Sequence, residues 1–120
     1  MTCNIHFRIT LNTNKEKNAL VVFNKLQAVF LNRLEIEDKQ VYWKDKSLFE
    51  INCKLSASED HRTKIIDFLF QKISIISSSW NISFDDYTSD EDKMELSGFA
   101  CDSFHLSGIH WISFSVIAEL

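Results

Sequence analysis

Four segments of this sequence alternate apolar and polar residues, and this alternation constrains the fold more than any other feature. The clearest runs from Cys3 to Leu11, with an apolar side chain at every second position. Successive side chains of a β-strand point to opposite faces, so a period of two predicts a strand with one buried face. The same period predicts strands at residues 49–55, 80–84 and 112–118, and less regular patterns predict two more at 34–43 and 94–100.

Two other segments repeat apolar residues at the spacing of a helix, which places those residues on one face. The first helix is predicted to begin at a capping box formed by Thr13 and Glu16 and to end near Asn32. Its buried face comprises Ala19, Val22, Phe23, Leu26 and Phe30. A second capping signal, at residues 56–59, precedes a helix that ends at the serines 77–79. Its buried face comprises Ile65, Ile66, Leu69, Phe70, Ile73 and Ile76.

The first four strands and the two helices follow the order β-α-β-β-α-β, which is the ferredoxin-like arrangement. We therefore predict an α+β fold in which both helices pack on one face of an antiparallel sheet. The last two strands are predicted to form a C-terminal hairpin that extends this sheet. A chain of 120 residues has the length of one domain, so a single domain is expected over residues 1–120.

The scarcity of glycine argues against several classes of enzyme. The chain has two glycines, Gly98 and Gly108, and no proline. A P-loop or a dinucleotide-binding motif needs several closely spaced glycines, because only glycine lets the backbone approach a phosphate with positive φ. The G-x-S-x-G nucleophile elbow is also absent. The sequence therefore predicts a protein that is not an enzyme and uses no cofactor.

The three cysteines indicate a reducing compartment. Cys3, Cys53 and Cys101 are odd in number, lie far apart and form no C-x-x-C pair, so they do not resemble a disulfide framework. Cys3 and Cys53 fall on apolar strand positions, where buried thiols are expected. The N-terminus lacks the apolar run of a signal peptide, and no segment has the length of a membrane span. We therefore expect a cytoplasmic location.

The excess negative charge is concentrated in residues 85–95, which we name the acidic segment. It holds six carboxylates and one lysine, a net charge of −5, whereas the whole chain carries −4, so the remainder sums to +1. Such a segment is either a solvated loop or a surface for a basic partner, since clustered charge raises association rates and selects partners. Tyr87 would supply an aromatic anchor. The candidate partner-binding residues are Asp85, Asp86, Tyr87, Asp90, Glu91, Asp92 and Glu95.

Two patterns raise the question of a metal ion. An EF-hand calcium loop needs a glycine at its sixth position, where Glu91 stands if the count begins at Asp86. A second cluster of metal-capable side chains lacks the paired spacing of zinc ligands. It comprises Cys101, Asp102, His105 and His110. The sequence therefore predicts no metal site, and the region 101–110 stays open as an alternative site for a ligand, a metal or a thiol nucleophile.

Polar strand residues predict an open sheet face opposite the helices, where a ligand, a second sheet or a partner could bind. They include His6, Arg8, Glu50, Asn52, Lys54, Ser113 and Ser115. RNA-binding domains of related topology stack bases on sheet aromatics and carry a basic field. The sequence indicates no aromatic pair on this face, and the net charge is negative. We therefore expect no direct binding of nucleic acid.

In length, acidity, cysteine usage and its acidic segment, the chain resembles the bacterial immunity proteins that accompany contact-dependent or polymorphic toxins. Those are small cytoplasmic proteins that bind a toxin domain and block it. The resemblance implies a cognate toxin, such as a nuclease whose basic groove the carboxylates would occupy as phosphate mimics. Two alternatives stay open: a ligand-binding, metal-binding or catalytic domain, and a self-associating subunit such as a homodimer that pairs its edge strands.

Overall fold

The computed structural model describes residues 2–58, 62–85 and 93–119. Within these residues it contains the two helices and six strands that the periodicity predicts. In chain order they are β1 (Thr2–Leu11), α1 (Glu16–Val29), β2 (Leu34–Val41), β3 (Phe49–Ser58), α2 (Arg62–Ile76), β4 (Asn81–Asp85), β5 (Lys93–Ala100) and β6 (Ile109–Glu119). Neither of these helices is long and apolar enough to cross a membrane.

The six strands form one open antiparallel sheet in the order β2-β3-β1-β6-β5-β4, which confirms the α+β class. The ferredoxin-like assignment is not confirmed. It requires β4 beside β1, whereas β6 lies beside β1 and β4 lies at the far edge. β5 and β6 pair as the predicted hairpin and belong to the sheet, and the hairpin is inserted between β1 and β4.

Strand length and apolar character explain why β6 takes the central place. β6 has 11 residues, and its buried Phe114 pairs in register with the buried Phe7 of β1. β4 has five residues, and its Ile82 and Phe84 are 41% and 46% exposed. Apolar burial is the main favourable term in folding, so the strand that buries more apolar surface is the one favoured at the centre.

The core lies between one face of the sheet and the two helices, as predicted. Alternate residues of β1, β3, β5 and β6 are buried on this face and form one cluster with the apolar faces of α1 and α2. Phe7 of β1 and Phe30, which follows α1, contact each other with ring centroids 5.0 Å apart. Residues of the opposite sheet face are mostly polar and exposed or half-buried. That face is the open face of the molecule.

Both helix starts differ from their predictions. The N-cap of α1 is Lys15, which makes no side-chain capping bond, and the Thr13 hydroxyl accepts a hydrogen bond from the Lys15 amide instead. Glu16 does not reach back, because its carboxylate lies 2.8 Å from the ammonium of Lys39 on β2. Residues 56–58, predicted as a capping signal, continue strand β3. Glu59 lies outside the described residues.

The ends and faces of the helices show two smaller corrections. α1 ends at Val29, three residues before the predicted end, because Leu31 and Asn32 adopt left-handed backbone conformations with φ of 57° and 60°. On α2 the predicted buried face holds at four positions, whereas Ile66 is half-buried and Phe70 is 40% exposed. Phe70 follows Leu69 by 100° around the helix axis, which turns it away from the core.

Gly98 sits in the middle of β5, between Ile82 of β4 and Phe114 of β6. A Cβ atom at this position would stand 2.7 Å from Ile82 Cδ1 and 2.8 Å from Phe114 Cε1. The Phe114 ring is buried in a close-packed core, so it has little room to withdraw. The missing side chain is therefore what lets two large residues approach each other across the strand.

Candidate functional site

The acidic segment joins β4 to β5, and the structure describes its two flanks. Asp85 is the last residue of β4, and it pairs in register with Glu95 of β5, whose side chain is exposed. The remaining predicted partner-binding residues, Asp86, Tyr87, Asp90, Glu91 and Asp92, lie outside the described residues. The flanks place both attachment points of the segment at one end of the sheet, beside its edge strand.

The edge strand next to the acidic segment presents apolar side chains. Ile82 and Phe84 project on the helix side of the sheet, yet each is more than two-fifths exposed. One side of β4 pairs with β5, and the other is the edge of the sheet, where backbone donors and acceptors face outward. We name Ile82, Phe84 and this outer backbone the edge surface. It combines apolar anchors with unpaired strand hydrogen bonds.

The four metal-capable residues of the region 101–110 are not brought together. Cys101, Asp102 and His105 are exposed in the connection between β5 and β6, whereas His110 belongs to β6. This connection is fastened to the end of α2, since the His105 amide donates to the Ile76 carbonyl at 2.8 Å. Within residues 2–58, 62–85 and 93–119, no three His, Cys, Asp or Glu side chains form a group able to hold a metal ion.

The three cysteines are free, and the prediction that Cys3 and Cys53 are buried is confirmed. Burial, with a smaller contribution from the Glu37 carboxylate, raises the pKa of the Cys53 thiol to about 12. Burial also raises the pKa of Cys3. A thiol with such a raised pKa carries almost no thiolate at neutral pH, so Cys53 is unsuited to nucleophilic chemistry.

A partly buried ion pair lies on the open face. The Arg8 guanidinium of β1 contacts Oε2 of Glu50 on β3 through Nε and Nη2, each at 3.0 Å. The other carboxylate oxygen of Glu50 accepts a hydrogen bond from the Asn52 amide at 3.1 Å. The side chain of Glu50 is 4% exposed and that of Arg8 is 45% exposed. Glu50 therefore binds the guanidinium on its buried side, and the other side of Arg8 is exposed to solvent.

Aromatic rings surround this ion pair on the open face. Phe99 of β5 and Trp111 of β6 stack with ring centroids 6.4 Å apart and planes inclined by 23°. Tyr42, which follows β2, lies on the other side, with its ring centroid 6.0 Å from the Arg8 Cζ atom. The expectation that this face carries no aromatic pair is wrong. The expectation that the protein does not bind nucleic acid therefore no longer has the lack of an aromatic pair to support it. It now depends on the negative net charge.

Arg8 and the aromatic residues line a cavity of about 380 Å³, which we name the Arg8 hollow. Its lining consists of Arg8, Thr10, Tyr42, Lys44, His110 and Trp111. Two adjoining hollows of about 400 and 250 Å³ share Trp111 and Arg8 with it, respectively. Ser97, Ser113 and Ser115 are among the residues that line these two hollows, and their small side chains leave space between the larger ones.

The charged residues in the lining of the Arg8 hollow are Arg8 and Lys44. The lining contains Arg8, Lys44 and His110 and no carboxylate, and Glu50 beneath it is paired with Arg8. Asp45 lies just outside the lining. Hydrogen bonds from the Ser47 hydroxyl and amide lower its pKa, with a smaller contribution from His110. The hydrogen bonds from Ser47 therefore keep Asp45 ionised, on the side of the hollow where His110 lies.

The Arg8 hollow and the acidic segment lie at opposite ends of the sheet. Asp85, Glu95 and Asn4 share one row of the register, whereas Trp111, Thr10 and Glu50 share another. The two rows are six residues apart along β1, which corresponds to about 20 Å in an extended strand. The Arg8 hollow therefore lies toward the end of the sheet that is remote from Asp85 and Glu95.

No protein-family model, no curated protein and no solved structure matches the chain. The functional argument therefore depends on the residues and their geometry alone.

Sequence reasoning missed three residues of the Arg8 hollow, and a signal existed for one of them. Trp111 is in phase with Ser113 and Ser115, so extending the alternation of β6 back by one step places it on the open face. Phe99, in phase with Ser97, follows in the same way. Tyr42 falls within the predicted strand 34–43, but β2 ends at Val41, and Lys44 lies beyond both ends. The period of two therefore does not fix the direction of either side chain.

Proposed function

We propose that this chain is a non-enzymatic protein-binding module, and specifically an immunity protein that binds and neutralises a cognate toxin domain through the acidic segment. The observation that carries the proposal is the charge distribution: residues 85–95 carry −5 and the remainder of the chain +1. A toxin domain with a basic surface, such as a nuclease with its phosphate-binding cleft, is the matching partner. The proposal includes a cytoplasmic location, which three free cysteines support.

The edge surface supports this proposal because interfaces combine apolar anchors with a charged surround. Ile82 and Phe84 are exposed on the strand that leads into the acidic segment. Desolvated apolar residues supply most of the binding free energy at an interface, whereas surrounding charges chiefly set association rate and partner choice. The acidic segment would therefore guide the partner, and the edge surface would hold it. Direct contact with nucleic acid is not part of this proposal.

The partner to test is a toxin domain encoded in the gene next to this one. The acidic variant Asp90→Lys, Glu91→Lys, Asp92→Lys is compared with a control that changes net charge equally at the opposite edge of the sheet. That control is Glu35→Lys, Glu37→Lys, Asp38→Lys on β2. At low salt the acidic variant is expected to associate at least about tenfold more slowly, and the control within a factor of about two. Surface plasmon resonance at two salt concentrations measures both rates.

Separate substitutions test the edge surface. Phe84→Ser is expected to accelerate dissociation by about tenfold or more, with little change in association, because it removes an anchor and no charge. Equal slowing of association by the acidic variant and by the β2 control would show that only net charge matters. Unchanged binding in all three variants would exclude both surfaces from the interface.

The sheet order suggests a related proposal about the fold. β3 lies between β1 and β2, as in the first half of the ferredoxin-like arrangement. We propose that β6 replaces the fourth strand of that arrangement, so that β4 and β5 form the added part. The alternative of a homodimer through the edge strands predicts a concentration-dependent mass in sedimentation, which Phe84→Ser would reduce.

A further inference from the structure

The Arg8 hollow contains an arrangement that the protein-binding proposal does not use. A carboxylate placed under a sheet face loses its hydration, and only good pairing offsets that cost. Here Glu50 receives three contacts, two from Arg8 and one from Asn52, and it fixes the guanidinium in one orientation. The outer edge of Arg8 is left toward the cavity, where it can donate hydrogen bonds to a ligand.

Aromatic surfaces stand on two sides of that guanidinium. Trp111 is half-buried and is backed by Phe99, which limits the positions its ring can adopt. Tyr42 is also half-buried and lies against Arg8. Rigid aromatic rings beside an oriented guanidinium form a surface on which a planar ring can stack.

The charged residues that line the hollow indicate that the ligand also carries an anionic group. Lys44 and His110 line the hollow together with Arg8, and none of the lining residues is acidic. The Lys44 ammonium lies 5.0 Å from the centroid of the exposed Trp43 ring, a cation–π contact that restricts its position. A guanidinium and an ammonium group that line one cavity complement a phosphate or a carboxylate.

We propose that the Arg8 hollow binds a small ligand that combines a planar ring with an anionic group. The ring stacks on Trp111 or Tyr42, and the anionic group meets Arg8 and Lys44. The cavity volume of about 380 Å³ lies within the range of small-molecule sites, and its lining combines aromatic rings with a few polar groups, as such sites do. This site is about 20 Å from the acidic segment along the sheet, so it is independent of the toxin interface.

The test uses four probes. They distinguish the contribution of the planar ring to binding from that of the anionic group, and a phosphate from a carboxylate. Adenosine monophosphate and indole acetate carry both features, adenosine has the ring without the anion, and ribose phosphate has the anion without the ring. Isothermal titration calorimetry measures affinity, and the NMR signal of the Trp111 indole N–H reports on location. At least one complete probe is expected to bind saturably at millimolar concentration or below, and at least about tenfold more tightly than adenosine or ribose phosphate.

Matched substitutions then test the position of the ligand. Lys44→Gln is expected to weaken binding about two- to fivefold, whereas Lys46→Gln, two residues away, leaves it unchanged. Trp111→Leu is expected to weaken binding at least about fivefold, whereas Phe84→Leu removes an aromatic ring on the other face without effect. Because Lys44 is exposed, its substitution does not endanger the fold.

Three outcomes would overturn the proposal. They are the absence of saturable binding by both complete probes, binding of incomplete probes with equal affinity, and equal losses in the two control variants. If only the phosphate probe binds, the ligand is a nucleotide; if only the carboxylate probe binds, it is an aromatic acid. Either result supports the site.

Discussion

The pair formed by Arg8 and Glu50 should respond very unequally to loss of one partner or the other. Arg8→Met removes the cation from the Glu50 side chain, which is 4% exposed in the unaltered protein, and leaves the Asn52 amide as its donor. Removing one partner of a fully buried pair costs about 3–5 kcal/mol, because an uncompensated charge stays behind. Arg8 is 45% exposed, so water can enter where its side chain was. We therefore expect a loss of about 2–3 kcal/mol of unfolding free energy.

The opposite substitution should cost less. Glu50→Gln keeps the shape of the side chain and one of its acceptors, and it leaves Arg8 with nearly half of its surface in water. The lost charge-assisted part of the hydrogen bond amounts to about 1 kcal/mol, discounted for that exposure. Replacing both residues by methionine removes the buried charge altogether. The double variant is therefore expected to be more stable than Arg8→Met alone.

Urea unfolding followed by circular dichroism measures all three variants against the unaltered protein. The slope of the free energy against urea should stay constant, since the surface exposed on unfolding hardly changes. The reasoning fails if Arg8→Met is no more destabilising than Glu50→Gln. It also fails if the double variant is the least stable of the three, because a buried unpaired carboxylate would then not be the source of the cost.

Two further predictions concern residues away from the Arg8 hollow. Gly98→Ala should lower the unfolding free energy by about 1 kcal/mol in urea titrations, because overpacking against Ile82 and Phe114 costs about 1–3 kcal/mol and replacing a strand glycine by alanine gains about 0.5–1 kcal/mol. Adding Ile82→Val should recover part of the loss. A Gly98→Ala variant more stable than the unaltered protein would contradict the close contact. At pH 8 a thiol reagent should label Cys101 alone in the native protein, because Cys101 is exposed, whereas Cys53 is buried and has a pKa of about 12. Mass spectrometry identifies the labelled cysteine. Rapid labelling of Cys53 without denaturant would show that the core opens readily.

The elements of this fold could be predicted from the sequence because they depend on local periodicity. The alternation from Cys3 to Leu11 identifies β1, and helical spacing identifies α1 and α2. The order of the strands could not be predicted in the same way. Whether β4 or β6 lies beside β1 depends on which strand buries more apolar surface against Phe7 and its neighbours, and that is a comparison between segments far apart in the chain.

The candidate site, like the fold, could be predicted only where it depends on local sequence. Residues on the open face, including Arg8 and Glu50, were identified as polar strand positions. Their pairing was not, because the register of β1 against β3 sets Arg8 opposite Asn52 and diagonal to Glu50, and a register cannot be read from one strand alone. The acidic segment was predicted from charge, and its role in binding stays a prediction, since residues 86–92 lie outside the described part of the chain.

The position of β6 between β1 and β5 has a consequence for how the chain folds. The pairing of Phe7 with Phe114 closes a loop of about one hundred residues, and the entropy of that closure is lost before the contacts of β6 offset it. Until β6 adds, β1, β2 and β3 on one side and β4 and β5 on the other have no strand joining them. Folding should therefore be slow for a domain of this size, because a central strand of the sheet comes from the far end of the chain.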